Sequence, residues 1–139
     1  MPARINKKSI SPKSKKAVSE LRTKYKVVPK RAVTSRQNRI IKKCKEALAS
    51  YYGNRLQKVI LYGSMARGQT NPASDIDLLV LLSPPFNYFT ELRQVVEILY
   101  PIQLDSERLI SAKPASVKDF ELGNISLYRN ARREGVTVE

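Results

Sequence analysis

The feature of this 139-residue chain that most constrains its fold is an uninterrupted apolar run, Leu78–Leu82. A strand with one solvent-facing side alternates apolar and polar residues, whereas a strand buried on both faces is apolar throughout. The run stops at Ser83–Pro85, where the prolines cannot continue the hydrogen-bond ladder of a central strand. We therefore predict a central strand over Asp75–Leu82, in a sheet that is covered on both faces.

Other segments supply neighbours for that strand. Lys58–Tyr62 predicts a second strand that closes at Gly63, and Ile102–Asp105 predicts a third, which in one alternative continues to Leu109. The segments with helical spacing run from Thr34 to Gly53, from about 88 to 100 and from 126 to 134, with shorter turns near 64–67 and 117–122. This alternation predicts an α/β (α+β) fold in which helices flank a small mixed sheet.

The positive charge of the chain is concentrated at its N-terminus. Residues 1–45 hold 16 Lys or Arg and one acid, whereas residues 46–139 hold 10 Lys or Arg and 11 acids. We therefore divide the chain into a basic, partly disordered arm (1–33) and a near-neutral globular domain (34–139). Basic arms are typical of contact with nucleic acid or another polyanion, and a solvated leader without a partner is the alternative.

The composition also excludes several kinds of chemistry. The chain has no histidine and only one cysteine, Cys44, so Ser-His-Asp catalysis, Cys-His catalysis and an internal disulfide are ruled out. Oxygen atoms are then the only credible metal ligands. No run approaches the ~20 apolar residues of a membrane span, and the N-terminus lacks the apolar core of a secretory signal. We expect a cytoplasmic protein with no membrane partner.

Two acids stand at the start of the predicted central strand. Side chains alternate across a strand, so Asp75 and Asp77 point to the same side. Two carboxylates this close repel each other unless a cation lies between them, and Mg²⁺ suits such a pair because it prefers carboxylate oxygens and substrate phosphates. Acids that merely keep a strand end soluble are the alternative. That alternative explains one aspartate more easily than the pair.

A Gly-Ser turn precedes the acids. Gly63 and Ser64 lie where a strand gives way to a helix, and backbone N–H groups at such a place can bind a phosphate. Arg67 lies about one turn further along and can reach the same phosphates as a charge-assisted donor. The Gly-Ser turn alone does not identify a site, because such turns are common. An exposed helical residue is the simpler interpretation of Arg67 alone. Together with the aspartate pair they indicate a nucleotide site.

These residues resemble a known family. Gly63–Gly68 (GSMARG) and Ser74–Leu78 (SDIDL) resemble the signature of the DNA polymerase β-like nucleotidyltransferases, in their minimal nucleotidyltransferase branch. The resemblance extends over about residues 51–138 and leaves out the basic arm. Tyr62 stands where the family usually has phenylalanine. The fold that the resemblance implies is the polymerase β-like nucleotidyltransferase fold.

The resemblance also implies a metal site with three carboxylates and two divalent ions, here expected to be Mg²⁺, around ATP or another nucleoside triphosphate. Asp75 and Asp77 match the first two carboxylates. The third usually comes from the next core strand, so Asp105 is the expected third metal ligand and catalytic residue. Two alternatives stay open. Glu107 would lie on the same side of the predicted strand as Asp105, and Gln103 can occupy the position of the family's third carboxylate and leave the triad incomplete.

The implied function is transfer of a nucleotidyl group, AMP from ATP above all, to an acceptor hydroxyl. The resemblance further implies a partner protein of the HEPN type that supplies or serves as the acceptor, in a toxin–antitoxin module where this chain is the antitoxin. Two alternatives remain. One is an inactive, nucleotidyltransferase-like binding module that acts through a protein or nucleic acid, and the other is a nucleic-acid enzyme whose basic arm positions the substrate.

Overall fold

The computed structural model describes residues 35–68 and 74–139, so the basic arm lies outside the described residues. Five helices and four strands make up this part of the chain. The helices are α1 (Ser35–Tyr52), α2 (Gly63–Ala66), α3 (Tyr88–Asp105), α4 (Val117–Leu122) and α5 (Ser126–Glu134). The strands are β1 (Leu56–Tyr62), β2 (Ile76–Leu82), β3 (Ile110–Ser116) and β4 (Val136–Thr137), and a 3-10 turn (Gly53–Arg55) joins α1 to β1.

The four strands form one mixed sheet in the order β3-β2-β1-β4. Strand β1 runs antiparallel to both β2 and β4, and β2 runs parallel to β3. The apolar run Leu78–Leu82 lies inside β2 and is buried along its whole length. The predicted central strand is confirmed, because β2 has neighbours on both edges and a layer on both faces.

Helices cover the two faces of the sheet. Alternate residues of β2, among them Leu78 and Val80, join the larger core with side chains from α1 and α3. The residues between them, Leu79 and Leu81, join a smaller core with Phe120 of α4 and residues of α5. The architecture is therefore a mixed α+β sheet flanked by helices, as predicted, and it is consistent with the polymerase β-like nucleotidyltransferase fold.

The third strand does not lie where the sequence placed it. The prediction of a strand over Ile102–Asp105 is wrong, because α3 continues through Pro101 to Asp105 and the strand follows at Ile110–Ser116. Ile102 packs against the larger core as the next member of a helical stripe with Val95 and Leu99, and this packing outweighs the hydrogen bond that the proline removes.

A buried acid links three elements at the end of the sheet remote from Asp77. Glu91 of α3 is only 7% exposed. Its carboxylate accepts hydrogen bonds from the Tyr52 hydroxyl at 3.0 Å and from Nη2 of Arg55 at 2.9 Å. Arg55 also donates to the carbonyl oxygens of Ser83 and Pro85. The ends of α1 and β2 and the start of α3 are thereby held together.

In the part of the chain that the structure describes, no helix is both long and apolar enough to cross a membrane.

Candidate active site

The Gly63 turn is shaped by its contact with Asp77. The backbone of Gly63 has a φ of +78°, a region that side chains other than glycine rarely adopt. A β-carbon on this residue would collide with Oδ2 of Asp77 and stand 3.2 Å from its carboxyl carbon. Two features therefore favour glycine at this position: the positive φ of the backbone and the close approach of the Asp77 carboxylate. Gly63 of the Gly-Ser turn and Asp77 of β2 are thus in direct contact.

Strand register places Asp77 in a row of side chains that crosses the sheet. Tyr62 of β1 lies opposite Asp77, and Ser111 of β3 lies on its other side. Asp77 is half-buried, and burial raises the pKa of its carboxyl above the usual value, with a further rise from the nearby charge of Asp75. A bound cation stabilises the ionised form of a carboxylate that is desolvated and close to another acid.

Two basic side chains face the same carboxylate. The charges of Lys113 and, more weakly, Arg67 both lower the pKa of Asp77 and so oppose the effect of burial. Arg67 follows α2, where its backbone N–H donates to the carbonyl oxygen of Gly63 at 3.2 Å. Its guanidinium forms an ion pair with Glu134 of α5 at 3.3 Å. Arg67 is therefore close enough to Asp77 for its charge to act on that carboxylate, while its guanidinium also pairs with Glu134.

Known proteins are similar to this chain in sequence. The sequence profile of the nucleotidyltransferase domain matches residues 41–123, from α1 past the end of α4. The chain belongs to the nucleotidyltransferase domain family. Two proteins of Methanocaldococcus jannaschii, both named "putative protein adenylyltransferase", are also similar to it. One is 33% identical over 103 residues, which cover 71% of this chain and 94% of that protein. The other is 33% identical over 72 residues, 52% of this chain and 72% of that protein.

Asp105, the expected third metal ligand, lies at the end of a helix and not on a strand. Asp105 is the exposed last residue of α3, and its backbone carbonyl oxygen is 3.5 Å from the Arg36 guanidinium. Glu107, the first alternative, forms an exposed ion pair with the same arginine at 3.3 Å. The strand that was the reason for choosing Asp105 does not exist. Within residues 35–68 and 74–139, no group of three His, Cys, Asp or Glu side chains is placed to hold a metal ion.

Gln103, the other alternative, has a local role. Its side chain accepts a hydrogen bond from the backbone N–H of Ile110 at 2.7 Å and donates to the carbonyl oxygen of Arg108 at 3.0 Å. It therefore joins the last turn of α3 to the start of β3. None of the three polar residues considered for the third position lies on β3.

The residues that β3 does present at the site are Ser111 and Lys113. Residues two apart share one face of a strand, so both project from the same side of the sheet as Asp77. The Lys113 ammonium donates to the Ser111 hydroxyl at 3.3 Å. Sequence reasoning missed both, because the segment ISAKPAS contains a lysine, a proline and two serines instead of an apolar strand pattern. Its place at the edge of the sheet explains why such a composition is tolerated.

Tyr62, which departs from the usual phenylalanine, also contributes to the environment of Asp77. Burial raises the pKa of the Tyr62 phenol to about 12, and the neighbouring Asp77 and Tyr88 add to the effect. The phenol therefore stays neutral at physiological pH. It adds no charge to the site and can act as a hydrogen-bond donor.

Proposed function

We propose that this nucleotidyltransferase moves AMP from ATP to an acceptor hydroxyl, with release of pyrophosphate. The observation that supports this most strongly is the contact between Gly63 and the Asp77 carboxylate, since it joins the Gly-Ser turn to the aspartate pair. The choice of AMP rests on the two M. jannaschii relatives, both of which are named for adenylyl transfer.

In this proposal the Gly-Ser turn with Arg67 and the aspartate pair bind different groups. The backbone N–H groups of Gly63 and Ser64 and the guanidinium of Arg67 bind the triphosphate. In support, Gly63 lies against the Asp77 carboxylate and the charge of Arg67 acts on the same carboxylate. Asp75 and Asp77 hold a divalent cation, for which we propose Mg²⁺. When bound, such a cation neutralises phosphate charge and lowers the pKa of the attacking hydroxyl.

The reaction itself needs little covalent chemistry from the protein. The acceptor oxygen forms a bond to the α-phosphorus, and the bond from that phosphorus to the bridging oxygen of pyrophosphate breaks. The chain contributes by holding the triphosphate in line with the acceptor and by offsetting its charge. The absence of histidine is compatible with this reaction, because no protein nucleophile takes part.

We propose a protein hydroxyl as the acceptor, because the two relatives are named as enzymes that act on proteins. A partner of the HEPN type, in a toxin–antitoxin module, is the more specific form of this proposal and rests on the resemblance of the two motifs. Incubation with the product of the neighbouring gene and ATP labelled at the α-phosphate tests both forms. Label on that partner supports the module, and label only on other proteins supports the broader proposal alone.

An inactive binding module is the second candidate. It is favoured by the placement of the acids, since no third acid joins Asp75 and Asp77 in a metal-binding group among the described residues. A module of this kind binds ATP and its partner but transfers no label. The same assay therefore separates the candidates, provided that binding of the ATP and of the partner is measured in parallel.

The basic arm suggests nucleic acid as a further partner. Residues 1–33 hold 11 Lys or Arg and one acid. Contacts between such an arm and phosphates release counterions, so the logarithm of the binding constant falls steeply with the logarithm of salt concentration. Removal of residues 1–33 is expected to reduce that slope for RNA or DNA. An unchanged slope contradicts a role of the arm in binding nucleic acid.

A further inference from the structure

The side chain of Lys113 brings a positive charge to the place next to the aspartate pair. Strands β2 and β3 run parallel, with Asp77 opposite Ser111 and Leu79 opposite Lys113. The lysine therefore follows Ser111 on the same side of β3, and its ammonium reaches back to the Ser111 hydroxyl at 3.3 Å. This direction takes the charge from the half-buried position 113 towards the row that holds Asp77.

The Lys113 ammonium lies close to the position of Asp77. It is 3.3 Å from the hydroxyl of Ser111, and Ser111 is the residue of β3 that pairs with Asp77. Among residues 35–68 and 74–139, the charged groups that act on Asp77 are one acid, Asp75, and two bases, Lys113 and Arg67. A second divalent cation between Asp77 and β3 would meet a like charge and no further carboxylate from the strand. Repulsion between such close charges is strong where water is partly excluded.

We infer that this site holds a single divalent cation, and that the Lys113 ammonium, seated beside Ser111 in the row of Asp77, supplies the second positive charge to the bound triphosphate. The inference rests on the proposed function and deepens it. It replaces the pair of ions that the resemblance implies by one ion and one fixed ammonium group. Lys113 is then a ligand of the phosphates and a determinant of metal stoichiometry.

The number of bound ions is the first test. Mn²⁺ is titrated into the full-length protein with a saturating ATP analogue whose α–β bridge cannot be cleaved, and the ions bound per chain are counted by electron paramagnetic resonance. We expect one ion in the wild type. In Lys113→Asp, which places a carboxylate on the same face of β3, we expect two. Two ions in the wild type would overturn the inference, and so would one ion in a folded Lys113→Asp protein that binds the analogue.

The affinity for the analogue is the second test. Loss of a charge-assisted contact to phosphate weakens binding by about 10- to 100-fold, which is the effect expected for Lys113→Met. Lys113→Arg keeps the charge and is expected to retain most of the affinity. Lys118→Met, on an exposed residue of α4, is the matched control and is expected to bind like the wild type. Equal affinities for Lys113→Met and the wild type would overturn the inference.

Failure of this inference is distinct from failure of the proposed function. A wild type that binds two Mn²⁺ ions and transfers AMP keeps the function and loses the role of Lys113. A wild type that binds neither Mn²⁺ nor the analogue overturns both. Thermal unfolding of each variant, recorded without metal, identifies any protein that fails to fold, and Lys113→Arg then serves as the folded reference.

Discussion

Gly63 lies directly against the carboxylate of Asp77, so closely that a β-carbon at position 63 would overlap Oδ2. The two residues are 14 positions apart in the chain, yet they meet because β1 and β2 pair with Tyr62 opposite Asp77. The turn that follows β1 is therefore packed against the acid of β2. Any change that shifts the turn also shifts a proposed metal ligand.

Gly63→Ala is expected to damage both the fold and the site. Alanine at a positive φ costs about 1 to 2 kcal/mol, and the clash with Asp77 adds to this. A misplaced Asp77 is expected to reduce transfer by about 100-fold or more. Gly53→Ala is the matched control, since Gly53 has a φ of +57° but nothing within 4 Å of an added β-carbon. Urea unfolding should show a smaller loss in this control, with transfer preserved. Equal loss of transfer in both variants would contradict the contact.

Ionised Asp77 is expected to destabilise the metal-free protein. Its pKa is raised in the folded state, so its stabilising contribution is complete at low pH and is lost as pH rises through the folded pKa. Asp77→Asn should therefore unfold at a higher urea concentration than the wild type at pH 7 in EDTA. The difference should shrink below the usual aspartate pKa of 3.8. Added Mg²⁺ should stabilise only the wild type. A variant that is less stable than the wild type at pH 7 without metal would refute this account.

The variant Asp105→Asn tests whether Asp105 is an exposed surface residue, as the structure places it, or the third metal ligand that the resemblance implies. Because Asp105 is exposed at the end of α3, its replacement should change transfer by no more than about twofold, as for an ordinary surface site. If Asp105 is the third metal carboxylate, transfer and Mn²⁺ affinity should both collapse. The two outcomes are far apart, so initial rates at a single saturating ATP concentration are sufficient.

Arg55→Ala is expected to reduce the free energy of unfolding by about 2 to 4 kcal/mol, because it leaves the Glu91 carboxylate buried without its charged partner. Arg36→Ala removes an ion pair whose side chains are 59% and 78% exposed, and should cost less than about 0.5 kcal/mol. Chemical unfolding measures both. Similar losses in the two variants would show that burial of Glu91 does not matter. The double variant Arg55→Ala/Glu91→Gln should recover part of the loss.

Some parts of this molecule could be predicted from the sequence because local patterns determine them. The apolar run of β2 predicts burial on both faces. The sequence Gly63-Ser64 predicts a tight turn before a helix. Other parts depend on packing between distant segments. The helix that was predicted to end near residue 100 continues through Pro101 to Asp105, because Ile102 packs against the larger core.

The position of β3 could not be predicted from the sequence. Its residues lack an apolar alternation, and only pairing with β2 fixes which of them stand beside Asp77. Lys113 could not be assigned to the site without that register, since it is 36 positions beyond Asp77. The link between Arg55 and Glu91, also 36 positions apart, was missed for the same reason.

The central claim is that the Gly63 turn and the aspartate pair together transfer a nucleotidyl group. The most direct test is transfer of α-labelled ATP, with Mg²⁺ and the candidate acceptor, by the wild type, Asp75→Asn/Asp77→Asn and the exposed α3 control Glu97→Gln. The account predicts label on the acceptor with the wild type and with Glu97→Gln, and none with the double variant. Undiminished transfer by a folded double variant would contradict it.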